Sequence, residues 1–286
     1  GKQYYTANGT SANNWDLTTA TTLYAKWTAL PAYFNSNWKN LLATDVNGTA
    51  TGITTATIKT IEFTTVMPTD ESYNANTYIL VGATARNSTT VNSSVIAYYY
   101  KDGDNLYHLA IVSPTGAEIY APTSCSDLFS SCSAITTIEF NSFNTTGVIN
   151  MSQMFYNCSK LTSVGDLSGW DVSSVTNMGL MFESCQVLTS VGNLSGWDVS
   201  SVTNMSYMFY NCTALTSVGD LSGWNVSSVT NMGSMFSGCS ALTSVGDLSN
   251  WKVSSVTGMR YMFNGCKLLT SVGDLSGWNV SSVTNM

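Results

Sequence analysis

The chain has 286 residues, of which 44% are hydrophobic and only 9% charged, while Ser, Thr and Asn together supply more than a third. Ten basic against seventeen acidic residues give a net charge of −7 and an isoelectric point near 4.4, so the phosphate neutralisation behind nucleic-acid affinity has no source. The apolar content, including 12% aromatic residues, is enough to bury a core and excludes a disordered chain, and no run approaches the roughly 20 apolar residues of a membrane-spanning helix.

The N-terminus, Gly1-Lys2-Gln3-Tyr4-Tyr5, lacks the charged-then-apolar order of a secretory signal. The sequence opens as if in mid-domain and stops at Met286 in mid-repeat, so it reads as a piece of a longer protein. Residues 29–57, with Pro31 and a Thr/Ala/Gly-rich run, are expected to be a connector carrying one short helix around Trp38-Lys39-Asn40-Leu41-Leu42. Alternation then returns in Ile61-Glu-Phe63, Tyr78-Ile-Leu-Val81, Val95-Ile-Ala-Tyr98, Leu106–Ile111 and Ile119-Tyr120, with a hairpin signal at Lys101-Asp102-Gly103-Asp104. Residues 58–122 are therefore predicted to form a compact antiparallel β domain that caps the C-terminal half of the chain.

That C-terminal half is repetitive. Met-Phe dipeptides at residues 154, 181, 208, 235 and 262 recur every 27 residues, and two columns keep the same beat: Cys158, Cys185, Cys212, Cys239 and Cys266, and Trp170, Trp197, Trp224, Trp251 and Trp278. A period within the roughly 20–29 residues of leucine-rich repeats predicts a β-rich, leucine-rich-repeat-like solenoid over 123–286, its first copy (123–153) irregular. Within one copy, Leu188 to Trp197 is expected to be a strand, and Val202, Met205, Met208-Phe209 and Cys212 carry the spacing of a short helix beginning near Thr203. The glycines Gly165, Gly192, Gly219, Gly246 and Gly273, each beside an extra residue that the first copy lacks, suggest a repeated β-bulge.

The pattern M-F-x-x-C-x-x-L-T-S-V-…-L-S-x-W-x-V-S-S-V-T-x-M resembles the BspA-like leucine-rich repeats of bacterial surface proteins, over residues 125 to 286. Residues 1–28, ending Thr22-Leu23-Tyr24-Ala25-Lys26-Trp27, resemble the final strands of a Listeria–Bacteroides repeat, a β-grasp-like surface module. These resemblances imply an extracellular protein tethered to a cell surface, whose repeats mediate adhesion. The glycine-extended strand departs from the family pattern.

Candidate sites are few. His108, the sole histidine, alternates with apolar neighbours, and no nucleophile motif such as G-x-S-x-G accompanies it, so a structural role is expected. No catalytic, cofactor or metal site is assigned, and the sequence does not place Asp102, Asp104 and Glu118 relative to one another as a hydrolase would require. The cysteine column is expected to be a ladder of buried free thiols in the repeat core alongside the tryptophans, because stacking makes the Cβ vectors parallel; Cys125 and Cys132 are the pair to bridge if any does. The column Asp166, Asn193, Asp220, Asp247, Asp274 fits turn chemistry better than a calcium site, because Asn193 interrupts it. Variation between copies concentrates around Met-Phe. Drift of exposed positions accounts for it, and the functional alternative is an interaction surface in which Tyr156, Tyr207, Tyr210 and Tyr261 form an aromatic strip beside the Asp column.

The resulting expectation is a non-enzymatic cell-surface adhesion protein without cofactor, binding an extracellular protein or glycan, host-derived ones included. The alternative is a structural spacer or a surface-layer or filament subunit whose partner is a copy of itself.

Overall fold

The computed structural model describes residues 4–5, 11–12, 31–68, 72–73, 78–83, 85–86, 88 and 90–286. The chain divides into two units, Gly1–Leu30 and Pro31–Met286. In the first, β1 (Tyr4–Tyr5) and β2 (Ser11–Ala12) pair antiparallel. The rest of the segment expected to resemble a Listeria–Bacteroides repeat lies outside the described residues.

The second unit is built on one eight-stranded mixed sheet. Its strands are β3 (Ala32–Phe34), β4 (Ile58–Thr64), β5 (Tyr78–Ala83), β6 (Val91–Lys101), β7 (Tyr107–Val112), β8 (Ile119–Tyr120), β9 (Thr137–Glu139) and β10 (Phe143–Asn144). They lie in the order β10-β8-β3-β5-β6-β7-β4-β9. The meander β5–β6–β7 is antiparallel, with the predicted hairpin between β6 and β7, whereas β4 pairs parallel with both β7 and β9, and β8 parallel with both β3 and β10. The expected purely antiparallel module is thus corrected. Residues 32–34 of the predicted connector and residues 137–139 and 143–144 of the first repeat copy are strands of the same sheet, and Thr137 on β9 also bridges Ser163 of the next copy in parallel.

Alternation along β7 sends Tyr107, Leu109 and Ile111 into the main core, while Ala110 and Val112 join a small cluster with Ile96 and Tyr98 on the opposite face. Helix α1 (Trp38–Leu41) forms where the sequence placed it. It seats Trp38, fully buried, against Phe129 at 5.8 Å between ring centroids, and the indole Nε1 donates to the Leu128 carbonyl at 2.8 Å.

The helix-containing, leucine-rich-repeat-like solenoid expected for 123–286 is overturned. Among the described residues the only helical turns are α1 and a 3-10 turn at Leu275–Gly277; the copies themselves are turns and coil, tied together by single parallel bridges such as Asn177↔Asn204 and Asn204↔Asn231. Where a helix was expected, Met208, Tyr210 and Cys212 bond back three residues to Met205, Tyr207 and Phe209 instead of four, while the amides of Met205, Tyr207, Phe209 and Asn211 reach carbonyls 26 residues ahead. Tyr207 (φ 58°) and Asn211 (φ 58°) sit in the left-handed region, which no right-handed helix tolerates.

The reason lies in the spacing. Val199, Val202, Met205 and Met208 fall three apart, as do Phe209, Cys212, Leu215, Val218, Leu221 and Trp224, and every one is at most 3% exposed. A step of three matches neither the 3.6 of a helix nor the 2 of a strand. The expected strand at 188–197 is accordingly reduced to a bridge at Ser190, and the glycine column marks left-handed turns instead of bulges: at Gly246, with φ 81°, a Cβ would collide with the Asp220 carboxylate one copy earlier. The copies bury their apolar residues in register. Phe155, Phe182, Phe209, Phe236 and Phe263 stack at 5.0–5.6 Å between successive centroids, and Trp170, Trp197, Trp224, Trp251 and Trp278 at 6.3–6.5 Å.

Candidate binding cleft on the Met-Phe face

The left-handed residues set the chemistry of the surface. A residue two before each Met-Phe phenylalanine, in the column Gln153, Leu180, Tyr207, Ser234 and Tyr261, has φ between 56° and 59°. From Gln153 to Ser234 its amide bonds to the next copy, and Tyr207 and Tyr261 are 42% and 53% exposed. They stand two copies apart with the small, buried Ser234 between them. The result is a cleft of about 260 Å³ walled by the two tyrosines and completed by Asn231, Arg260 and Asn285.

Arg260 lies over the Tyr261 ring at 4.4 Å and donates from Nη2 to its hydroxyl at 2.6 Å, so the guanidinium is held at the cleft instead of ranging through solvent. Tyr210 packs edge-on to Tyr207 at 5.5 Å. Tyr156 does not join them: it is half-buried, two copies from Tyr210, and Glu183 takes the intervening place in its column. The four-tyrosine strip is therefore a three-tyrosine cluster with an arginine. Arg260 was missed from sequence, although a lone arginine next to a variable tyrosine in a charge-poor stretch was a usable signal.

The Asp column lies apart from this cleft and is occupied with its own backbone. Asp166, Asp220, Asp247 and Asp274 each accept the amide two residues on, at 2.9 Å, and Asn193 does the same at 3.1 Å, which is why amide replaces acid there. These bonds hold the Asp166, Asp220 and Asp274 carboxyls below the usual carboxylate range.

All seven cysteines are free thiols, Cys125 and Cys132 included. In the column each Sγ donates to a phenylalanine carbonyl of the preceding copy, from Cys158 to Phe129 at 3.1 Å through Cys266 to Phe236 at 3.0 Å. Burial pushes the thiols up, to about 12 for Cys239 and Cys125 and about 11 for Cys132. From Trp197 to Trp278 the indole Nε1 likewise donates to a leucine carbonyl thirty residues earlier at 2.9 Å.

One cluster imitates a catalytic relay. Thr60 Oγ1 lies 2.8 Å from His108 Nδ1, and His108 Nε2 lies 3.2 Å from Asp102 Oδ2, with Tyr100 stacked on the imidazole at 4.5 Å. Asp102, however, serves the hairpin: Oδ1 accepts the amides of Asp104 and Leu106 at 2.9 Å, and Oδ2 binds Lys59 at 2.9 Å, which with those amides keeps its carboxyl far below the ordinary range. Thr60 sits on a strand paired on both sides, by β7 and β9, with a register shift between Ile58 and Thr60. The cluster pins the β6–β7 turn to β4. Glu118 is elsewhere, accepting from Asn144 Nδ2 at 2.8 Å.

Compared with known proteins, residues 123–244 and 214–286 match the family model described as "Mycoplasma protein of unknown function, DUF285", which together cover more than half of the chain. No curated protein and no solved structure matches.

Proposed function

The chain belongs to the family described as "Mycoplasma protein of unknown function, DUF285", and from this premise we propose that it is a non-enzymatic interaction protein of a cell surface, binding an extracellular protein through the tyrosine cleft of its repeats. The observation that carries the reading is Tyr207 and Tyr261, large and exposed, two copies apart on either side of one cleft, with Arg260 packed on the Tyr261 ring. Tyrosine and arginine are the residues enriched at binding hot spots, and a rigid scaffold lowers the entropic cost of presenting them. The sequence resemblance to BspA-like surface repeats supports the location, and no helix among the described residues is long and apolar enough to cross a membrane.

The test is binding of the purified chain to immobilised fibronectin, laminin, collagen and mucin, with Tyr207→Ala/Tyr261→Ala and Arg260→Ala as variants. Binding weakened about thirtyfold or more by either variant supports the cleft, following the roughly 2 kcal/mol or more that truncating a hot-spot residue costs. Binding that ignores both variants, or none to any of the four, rejects it.

A further inference from the structure

The cleft between Tyr207 and Tyr261 opens where a column of side chains is broken. Asn150, Asn177, Asn204 and Asn231 each accept on Oδ1 the amide two residues on, at 2.9–3.0 Å, and Asn204 also donates from Nδ2 to Asn177 Oδ1 at 3.1 Å. One copy on from Asn231 the column holds Gly258, where a Cβ would stand 2.8 Å from Asn231 Oδ1. The missing side chain leaves room beside Asn231, and both residues line the cleft.

The side chains around that room offer donors. With Oδ1 on the Gly233 amide, Asn231 has its Nδ2 hydrogens without a partner among the described residues. Arg260 spends one N–H on the Tyr261 hydroxyl and rests its face on the Tyr261 ring, and it forms no ion pair among the described residues. No aspartate or glutamate lines the cleft, in a chain with seventeen acidic residues against ten basic ones. The local charge is therefore opposite to that of the molecule, and it calls for an anion.

The donors also select among anions. One arginine balances one negative charge, whereas a phosphate group carries nearly two. With a face covered by Tyr261, the guanidinium presents its edge, a planar fork that matches a carboxylate through two parallel bonds. The volume of about 260 Å³ lies below the roughly 300–1,000 Å³ of sites for drug-sized ligands, so it suits one side chain, with the Tyr207 ring as a wall for its methylenes.

On the reading that this cleft is a protein-binding site, we propose that it takes a glutamate or aspartate side chain from an acidic segment of its partner, the carboxylate lying on the edge of Arg260 and accepting from Asn231 Nδ2.

The chain has two arginines, Arg86 and Arg260, and Arg86 is an internal control because its Nε donates to the Ala121 carbonyl at 3.1 Å. An NMR titration of the isotope-labelled chain with a capped peptide alternating glycine and glutamate, at constant ionic strength, should move the Arg260 Nε signal and the Tyr261 amide saturably and leave Arg86 in place. The same peptide with glutamine for glutamate should move neither. Affinity read at the Tyr261 amide should fall about tenfold in Arg260→Lys, which keeps the charge and loses the fork, and in Asn231→Asp, which keeps the acceptor for the Gly233 amide and replaces the donor by a like charge. No shift at Arg260, an equal response to the glutamine peptide, affinity indifferent to either variant, or a stronger response to inorganic sulfate overturns the proposal. The matrix-protein panel reads the function separately. Binding lost in Tyr207→Ala/Tyr261→Ala but unchanged in Arg260→Lys keeps the cleft as a binding site and overturns the carboxylate, whereas a panel that binds nothing beside a saturable glutamate response rejects the function and supports the carboxylate.

Discussion

At the scale of single residues, the buried thiols and a set of hydrogen-bonded aspartates are shifted in opposite directions, and each direction makes a prediction. The buried thiols are held protonated, Cys132 at about 11 and Cys125 and Cys239 at about 12. Thiolate, the reactive form, is therefore scarce near neutrality, and only Cys266 is more than slightly exposed. Iodoacetamide at pH 8 should label no more than one of the seven cysteines in the native protein and all seven in denaturant; mass spectrometry showing three or more native adducts would contradict the buried column. A raised folded value also means that stability holds below the unfolded thiol value near 8.5 and declines as pH rises above it. The aspartates behave inversely. Asp102, Asp166, Asp171, Asp198, Asp220 and Asp274 are all held below the usual range, chiefly by hydrogen bonds that their carboxylates accept. Their contribution is present above the unfolded value of about 3.9 and lost as pH falls below it. A melting temperature level between pH 5 and 8 and falling below about pH 4 is expected. One that rises between pH 5 and 3 would show that these bonds do not matter to stability.

At the scale of the repeat element, the informative feature is backbone that most side chains resist. Ser131, Asn157, Ser184 and Asn211 occupy a left-handed position that glycine fills in the last two copies, at Gly238 and Gly265. The protein thus contains its own comparison, since the same turn is made with and without a Cβ. A non-glycine residue there costs about 1–2 kcal/mol and glycine gives back part of that in chain entropy, so Ser184→Gly should stabilise by roughly 0.5–1 kcal/mol. Gly246→Ala, meeting the Asp220 carboxylate, should destabilise by about 1–3 kcal/mol. Thermal unfolding of the two variants checks both signs, and the same sign for both would refute the account. Some of this element was legible in sequence, because the columns of Met-Phe, Cys and Trp do face inward together. The secondary structure was not. Spacings of three look locally like either a strand with gaps or a compressed helix, and which backbone carries them depends on amides bonding to a copy 26 residues away, as Phe209 does to Met235.

At the scale of the whole second unit, the sheet and the repeats share one core, which runs without interruption from Ala32 to Met262. Phe63 touches Phe129, Phe140 and Phe143 at 6.1 Å or less, and Lys59 accepts the amide of Thr136 on its carbonyl at 2.8 Å, so the sheet edge closes the first copy instead of merely standing beside it. Trp38 is the peg of that joint. Trp38→Ala should cost about 3–5 kcal/mol by cavity and transfer terms and should lower the urea midpoint of the repeats together with that of the sheet. Two separate transitions, with the repeats unchanged, would show that the joint does not couple them. The hairpin at Asp102 and the helix at Trp38 could be read locally because turn residues and amphipathic spacing act over a few positions. The mixed strand order could not, since β4 finds β9 more than seventy residues on.

The period, the inward columns, the low charge and the short-range turns are all legible along the chain, because each is a property of neighbouring residues or of identity between copies. The tertiary structure decided the backbone path of each copy, the single mixed sheet and the tyrosine cleft. Those depend on which distant amide meets which carbonyl, which no local pattern encodes.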